Sequence, residues 1–216
     1  MIQSHTIVES HLTRCDNLCR QWASLQTTTL TLFSSITNIT TQRQETQTTI
    51  RSLANRPTND MLSQLLSNGN LDRLLYKQTR AMEESIRQLH ACMPKFRALV
   101  VDLDRLLAES TKHLSYTLTN PSSIDKPSAT IVTVAAIDPA DAHAFVSQIA
   151  CMYARELAYK QTLLETLPAA TTSVQTLEEL GRRWTQQPNV DFEVEEEMSE
   201  RVKLYKKIKE AAEKGK

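Results

Sequence analysis

Apolar residues in the first quarter of the chain recur at alternating steps of three and four, from near Val8 onward. They are Cys15, Leu18, Trp22, Leu25, Thr29, Leu32, Ile36, Ile39, Arg43, Thr46, Ile50 and Leu53. Nine of these twelve are apolar, counting cysteine, and the pattern fades at Arg43 and Thr46. A sustained 3-4 alternation turns one seam of a helix toward a partner helix, the coiled-coil condition. Between the seam positions lie many threonines (Thr27, Thr28, Thr40, Thr41, Thr48, Thr49), which are poor helix formers. Such a helix is expected to depend on packing rather than on its own propensity. It should end at Arg56-Pro57-Thr58-Asn59-Asp60, because proline restricts the residue before it and cannot donate to the ladder.

A short apolar segment follows (Met61, Leu62, Leu65, Leu66). Ser67-Asn68-Gly69-Asn70 then reads as a C-cap and a turn. The second long pattern is Leu75, Thr79, Met82, Ile86, Leu89, Met93, Phe96, Val100, Leu103, Leu107, Ser110 and Leu114. Ten of its twelve positions are apolar, and Pro94 is expected to kink this helix or divide it. The economical arrangement folds the first helix back on the second.

Residues 119–137 break the periodicity with Asn120-Pro121-Ser122-Ser123 and Lys126-Pro127-Ser128 and read as a linker. Within it Ile131-Val132-Thr133-Val134 is β-branched, an extended segment laid on a helix or a docking strand for another protein. Asp138-Pro139-Ala140-Asp141 is a helix start, with an Asp cap and proline at the first position. The third helix carries Phe145, Ile149, Met152, Leu157, Leu163, Leu164 and Leu167 and is expected to stop before Pro168. Thr172 with Gln175 suggests a capping box for a fourth helix bearing Leu177, Leu180 and Trp184, ended by Pro188. A fifth runs from about Phe192, with Val194, Met198, Val202, Tyr205 and Ile208 on one face. The fold class is therefore all-α. A long antiparallel coiled-coil-like helical hairpin (1–118) is followed by the linker (119–137) and a small C-terminal helical module (138–216).

Composition narrows the chemistry. Three glycines in 216 residues leave no Gly-rich phosphate loop and lean against an α/β enzyme. The charges cancel, 25 basic against 25 acidic, so no basic stripe before the C-terminus argues for nucleic acid, and none is expected as a direct partner. No apolar run approaches a membrane span, and the N-terminus lacks a secretory pattern. Cys15, Cys19, Cys92 and Cys151 lie inside helical patterns, which makes a reducing compartment the default. Cys15-x-x-x-Cys19 could hold half a metal site, but completing ligands are missing nearby, so neither metal nor cofactor is expected. His143 and Cys151, two turns apart, lack an orienting third group. A non-enzyme is the expectation. The glutamates at 193–200 are an acidic docking strip or simply a solvated helix start, and the late lysines complement the helix dipole.

Two residue clusters go beyond composition. The first is Asn17-Leu18-x-x-x-Trp22-x-x-Leu25. The second is Met152-Tyr153-x-x-Glu156-Leu157-x-x-Lys160, continued by Leu177-x-x-Leu180-x-x-x-Trp184-x-x-Gln187-Pro188-x-Val190. This layout resembles the cyclin-dependent kinase 2-interacting protein family. The Thr-rich first helix and the Lys-rich tail depart from that family, which leaves open a divergent member or the sister family of the same partner complex. The resemblance implies a nuclear adaptor, with a cytoplasmic share left open. It would pair with a small helical protein as an accessory module of a AAA ATPase complex, linked to large ribosomal subunit maturation and DNA replication, and would associate with cell-cycle kinases. A hetero-oligomer is implied.

The candidate partner-binding residues are Trp22, Leu25, Tyr153, Glu156, Leu157, Lys160, Trp184 and Pro188. Alternatively, Met152, Tyr153, Leu157 and Trp184 form an intramolecular core, and both can hold for different faces. The competing function is a structural coiled-coil subunit of another assembly, such as a kinetochore or tethering complex. A small helical enzyme would need convergent polar groups in a cavity.

Overall fold

The structure, a computed structural model, describes residues 2–54, 69–120, 137–171 and 173–214. The described residues form five helices: α1 (Ile2–Ala54), α2 (Asn70–Thr119), α3 (Pro139–Ala170), α4 (Val174–Gln186) and α5 (Phe192–Lys214). No described helix is long and apolar enough to cross a membrane. The segments around Met61–Leu66 and Ile131–Val134, and Thr172, lie outside the described residues.

Local chemistry accounts for the helix ends. The Asp138 carboxylate accepts from Ala140 N at 2.7 Å and opens α3 as expected. α4 is capped by Ser173 (φ −136°), whose hydroxyl accepts from Thr176 N, so the cap falls one residue after Thr172 and without a reciprocal Gln175. Gly69, at φ +61°, precedes α2 in the left-handed region that costs glycine nothing. Gln187 takes the same region at φ 42° and ends α4 just before Pro188. One expectation about proline is narrowed and one overturned. Pro94 does not divide α2, which runs through it as one helix, and α3 continues past Pro168 to Ala170 instead of stopping before it. Pro168 removes a donor only in the last turn, which Thr171 closes by donating its amide to Leu167 O and its hydroxyl to Pro168 O.

The Thr-rich stretch is helical, and its hydroxyls are satisfied within the helix. Thr31, Thr40, Thr41, Thr46, Thr48 and Thr49 each donate to the carbonyl four residues earlier. Its buried seam, however, is not the expected one. The buried positions are Val8, Leu12, Cys15, Cys19, Trp22, Gln26, Thr29, Phe33, Ile36 and Thr40, while Leu18, Leu25, Leu32 and Ile39 are half-buried. On α2 the expected seam is buried at Met82, Leu89, Met93, Phe96, Val100, Leu103 and Ser110 and half-buried elsewhere, and Cys92, Leu99 and Leu106 outside it are buried as well.

The chain forms two compact units, each assembled from early and late segments. Unit 1 comprises residues 1–24, 96–159 and 188–216. There His11 meets His113, Arg14 forms an ion pair with Glu109, and Trp22 packs on Phe96. Unit 2 comprises residues 25–95 and 160–187. There Thr40 reaches Met82 and Gln78 donates to Thr46. Within each unit the partner number on α2 falls as that on α1 rises.

His11 is buried and its ring lies edge-on to His113 with centroids 6.0 Å apart. Burial pushes the pKa of both below the ordinary value, and their mutual repulsion lowers His11 further. Between the lowered folded values and the unfolded value of about 6.5, the unfolded chain binds more protons, so acidification destabilises the fold. The urea midpoint is expected to fall as pH is lowered from 7 through the window below about 6.5, and His113→Gln should flatten that dependence. A midpoint indifferent to pH there would contradict the account.

Candidate partner-binding site

The residues singled out in the sequence form two clusters, one in each unit. In unit 1, Trp22 on α1 stacks on Tyr153 of α3, with centroids 4.3 Å apart and planes within 6°, and Phe96 of α2 packs against Trp22 at 4.5 Å. All three rings are buried. The Tyr153 hydroxyl donates to Glu195 Oε1 on α5 at 2.6 Å. Burial drives the Tyr153 pKa upward, so the phenol remains a donor, and burial also raises that of the Glu195 carboxyl. A hydrogen bond with Cys19 and burial raise the Cys15 thiol, which makes it unreactive. Glu156, fully buried one turn beyond Tyr153, accepts from the Asn189 amide and side chain at 3.3 and 3.1 Å. Met152 Sδ accepts from Asp191 N at 3.4 Å. The loop after Pro188 is thereby fastened to α3.

Tyr153→Phe tests that fastening. It keeps the stack and removes the only group the ring offers to Glu195. The expected cost is about 1.5–3 kcal/mol at neutral pH, the usual value of a hydrogen bond to a charged group, and less at pH 4, where Glu195 takes up a proton. Chemical denaturation at the two pH values reads the difference.

Unit 2 holds the second cluster. Lys160, with no exposed surface, donates to Gln26 Oε1 at 2.8 Å and to the Trp184 carbonyl at 3.3 Å. Its ammonium also lies 4.4 Å from the centroid of the Trp184 ring, a desolvated cation–π contact. Gln26 Nε2 donates to the same Trp184 carbonyl at 3.0 Å. Trp184 Nε1 donates to Thr29 Oγ1 at 2.9 Å, and Thr29 donates to Gln26 O at 2.8 Å. Phe33 flanks the indole at 5.1 Å. Five hydrogen bonds and two rings thus tie α1, α3 and α4 together.

Of the eight candidates, the structure buries Trp22, Tyr153, Glu156, Leu157, Lys160 and Trp184; Leu25 is half-buried and Pro188 exposed. It brings Trp22 together with Tyr153, and Lys160 with Trp184. Gln26 and Thr29 complete the second cluster; Thr29 stood in the expected seam but not among the candidates, and Gln26 stood in neither, because a glutamine among leucines carries no apolar signal. Gln26 sits at an a/d-type position, which the alternative 3-4 reading would have shown.

His143, Ser147 and Cys151, on one side of α3, line an open groove of about 700 Å³ with Arg155, Pro188 and Asn189. His143 Nδ1 has no hydrogen-bond partner among the described residues. No group of three potential metal ligands occurs among the described residues.

A family model described as "CA109-like: Ribosome biogenesis protein C1orf109-like" matches residues 10–202. No curated protein matches. The matched stretch contains both residue clusters, and it overturns their resemblance to the cyclin-dependent kinase 2-interacting protein family. Most residues of the two motifs, Trp22, Tyr153, Leu157, Leu177, Leu180 and Trp184 among them, are buried in helix packing, and packing of this kind does not separate two helical families.

Proposed function

The chain belongs to the C1orf109-like family of ribosome biogenesis proteins, and we propose that it is a non-enzymatic adaptor in maturation of the large ribosomal subunit. The observation that supports this reading is where the chain spends its polar chemistry. Lys160, Gln26, Trp184, Tyr153 and Glu156 are occupied with one another or with helix ends inside the fold. They serve to fix helices, and the outward helix faces remain for other proteins. The coiled-coil-like pairing of α1 with α2 is part of this reading, as is a nuclear location.

The finer assignment is an accessory subunit of a nuclear AAA ATPase complex, beside a small helical partner. It rests on the sister-family alternative, which shares that partner complex. The link to DNA replication and cell-cycle kinases rested on the overturned resemblance and has lost its support. Acute depletion of the protein tests the ribosomal role. A deficit of free large subunits on sucrose gradients, with accumulated large-subunit rRNA precursors, is expected. Unchanged subunit ratios and precursor levels would remove the proposal.

A further inference from the structure

Seven exposed residues of α5 succeed one another at steps of four and three: Glu193, Glu197, Glu200, Leu204, Lys207, Ala211 and Lys214. That spacing sets them on one stripe, turned away from Met198, Val202 and Tyr205, which are buried. The stripe is acidic in its first half and basic in its second, with Leu204, 58% exposed, where the sign changes. Laid antiparallel on a second copy about Leu204, it sets Glu193 against Lys214 and Glu200 against Lys207, each twice, with leucine on leucine at the centre. Glu197 falls opposite Ala211, and Glu197 is the member that already holds a cation of its own helix, Arg201, at 2.7 Å. Glu193, Glu200, Lys207 and Lys214 have no ion-pair partner among the described residues. The helix dipole explains why acids come first and bases last. It does not explain an exposed leucine at the point of sign reversal.

We propose that α5 is a self-association surface, through which two copies of this chain pair antiparallel about a two-fold axis at Leu204. A two-fold contact must match itself, residue i on j and j on i, and this stripe does so. Parallel pairing would set like charges together along the whole contact, about 32 Å at ~1.5 Å per residue. One leucine per copy and solvent-exposed ion pairs make a small contact, below the ~1,200 Å² of stable complexes. The association is therefore weak, with a Kd on the order of tens of micromolar.

Sedimentation velocity on the full chain, from low to several-hundred-micromolar concentration, tests it. A monomer–dimer shift that weakens with added salt is expected. Glu193→Lys with Glu200→Lys makes the stripe basic except at Glu197, which stays paired with Arg201, and Lys207→Glu with Lys214→Glu makes all its charged positions acidic. Each should weaken self-association by about tenfold or more, while an equimolar mixture of the two restores dimer as a heterodimer. Leu204→Asp should leave monomer. All these positions face outward, so circular dichroism should be unchanged. A wild-type chain that stays monomeric throughout overturns the proposal. So do charge variants that dimerise like wild type, or a mixture that fails to restore the dimer.

Discussion

Replacing Trp184 by alanine is expected to destabilise the protein by about 3–5 kcal/mol, the usual cost of deleting a fully buried indole. The side chain has no exposed surface, and its removal undoes several things together. The ring leaves a cavity beside Phe33, the Lys160 ammonium loses the π face it lies over, and Thr29 loses the indole N–H. Against a total stability of about 5–15 kcal/mol, this is enough to populate unfolded molecules. Trp184→Ala therefore reports on the integrity of unit 2 before it reports on partner contact. Trp184→Phe keeps most of the volume and loses only the N–H donor, so it should cost about 1–2 kcal/mol. Thermal and urea denaturation of the two variants check the order. Equal, near-zero costs would mean that the indole is not part of the core.

Gln26→Leu is the second large effect, expected to cost about 2–3 kcal/mol although it replaces a polar residue by a good helix former at an apolar seam position. Its amide accepts from Lys160 at 2.8 Å and donates to the Trp184 carbonyl at 3.0 Å. Leucine has nearly the same shape and supplies neither bond. A buried ammonium that loses an acceptor bears the desolvation cost without the compensation. The control is Gln21→Leu, the same substitution at an exposed position of the same helix, expected to stay within about 0.5 kcal/mol. If Gln26→Leu proves neutral or stabilising, the hydrogen-bonded role given to Gln26 is wrong.

Gln26 also marks where the sequence stops being readable. The α2 seam is legible because apolar residues occupy nearly all of its 3-4 positions, so burial and pattern coincide. On α1 two 3-4 readings share Cys15, Trp22, Thr29 and Ile36 and differ by one residue between them. Apolarity favours Leu18, Leu25, Leu32 and Ile39, yet the fold buries Cys19, Gln26, Phe33 and Thr40. The choice depends on Lys160 and Trp184, more than a hundred residues away, and no local pattern records such partners. The helix ends were legible where a side chain caps the start, as at Asp138, or a proline follows the end, as at Pro188. The stop expected before Pro168 was misread, and Pro94 did not divide α2, since proline removes one hydrogen bond and a well-packed helix tolerates that. The Trp22, Tyr153, Lys160 and Trp184 positions stood out in the sequence, and the fold buries all four. Their role as buried packing could not be told from partner contact without the geometry, because both uses select the same large, amphipathic side chains.

The central claim is that this chain works by joining other proteins in ribosome maturation. Affinity purification of the tagged protein from nuclear extract after mild cross-linking, with quantitative mass spectrometry against a tag-only control, tests it most directly. The expected result is a AAA ATPase and a small helical protein in near-stoichiometric amounts, together with components of large-subunit precursors. Recovery of the chain with nothing above the control would contradict it.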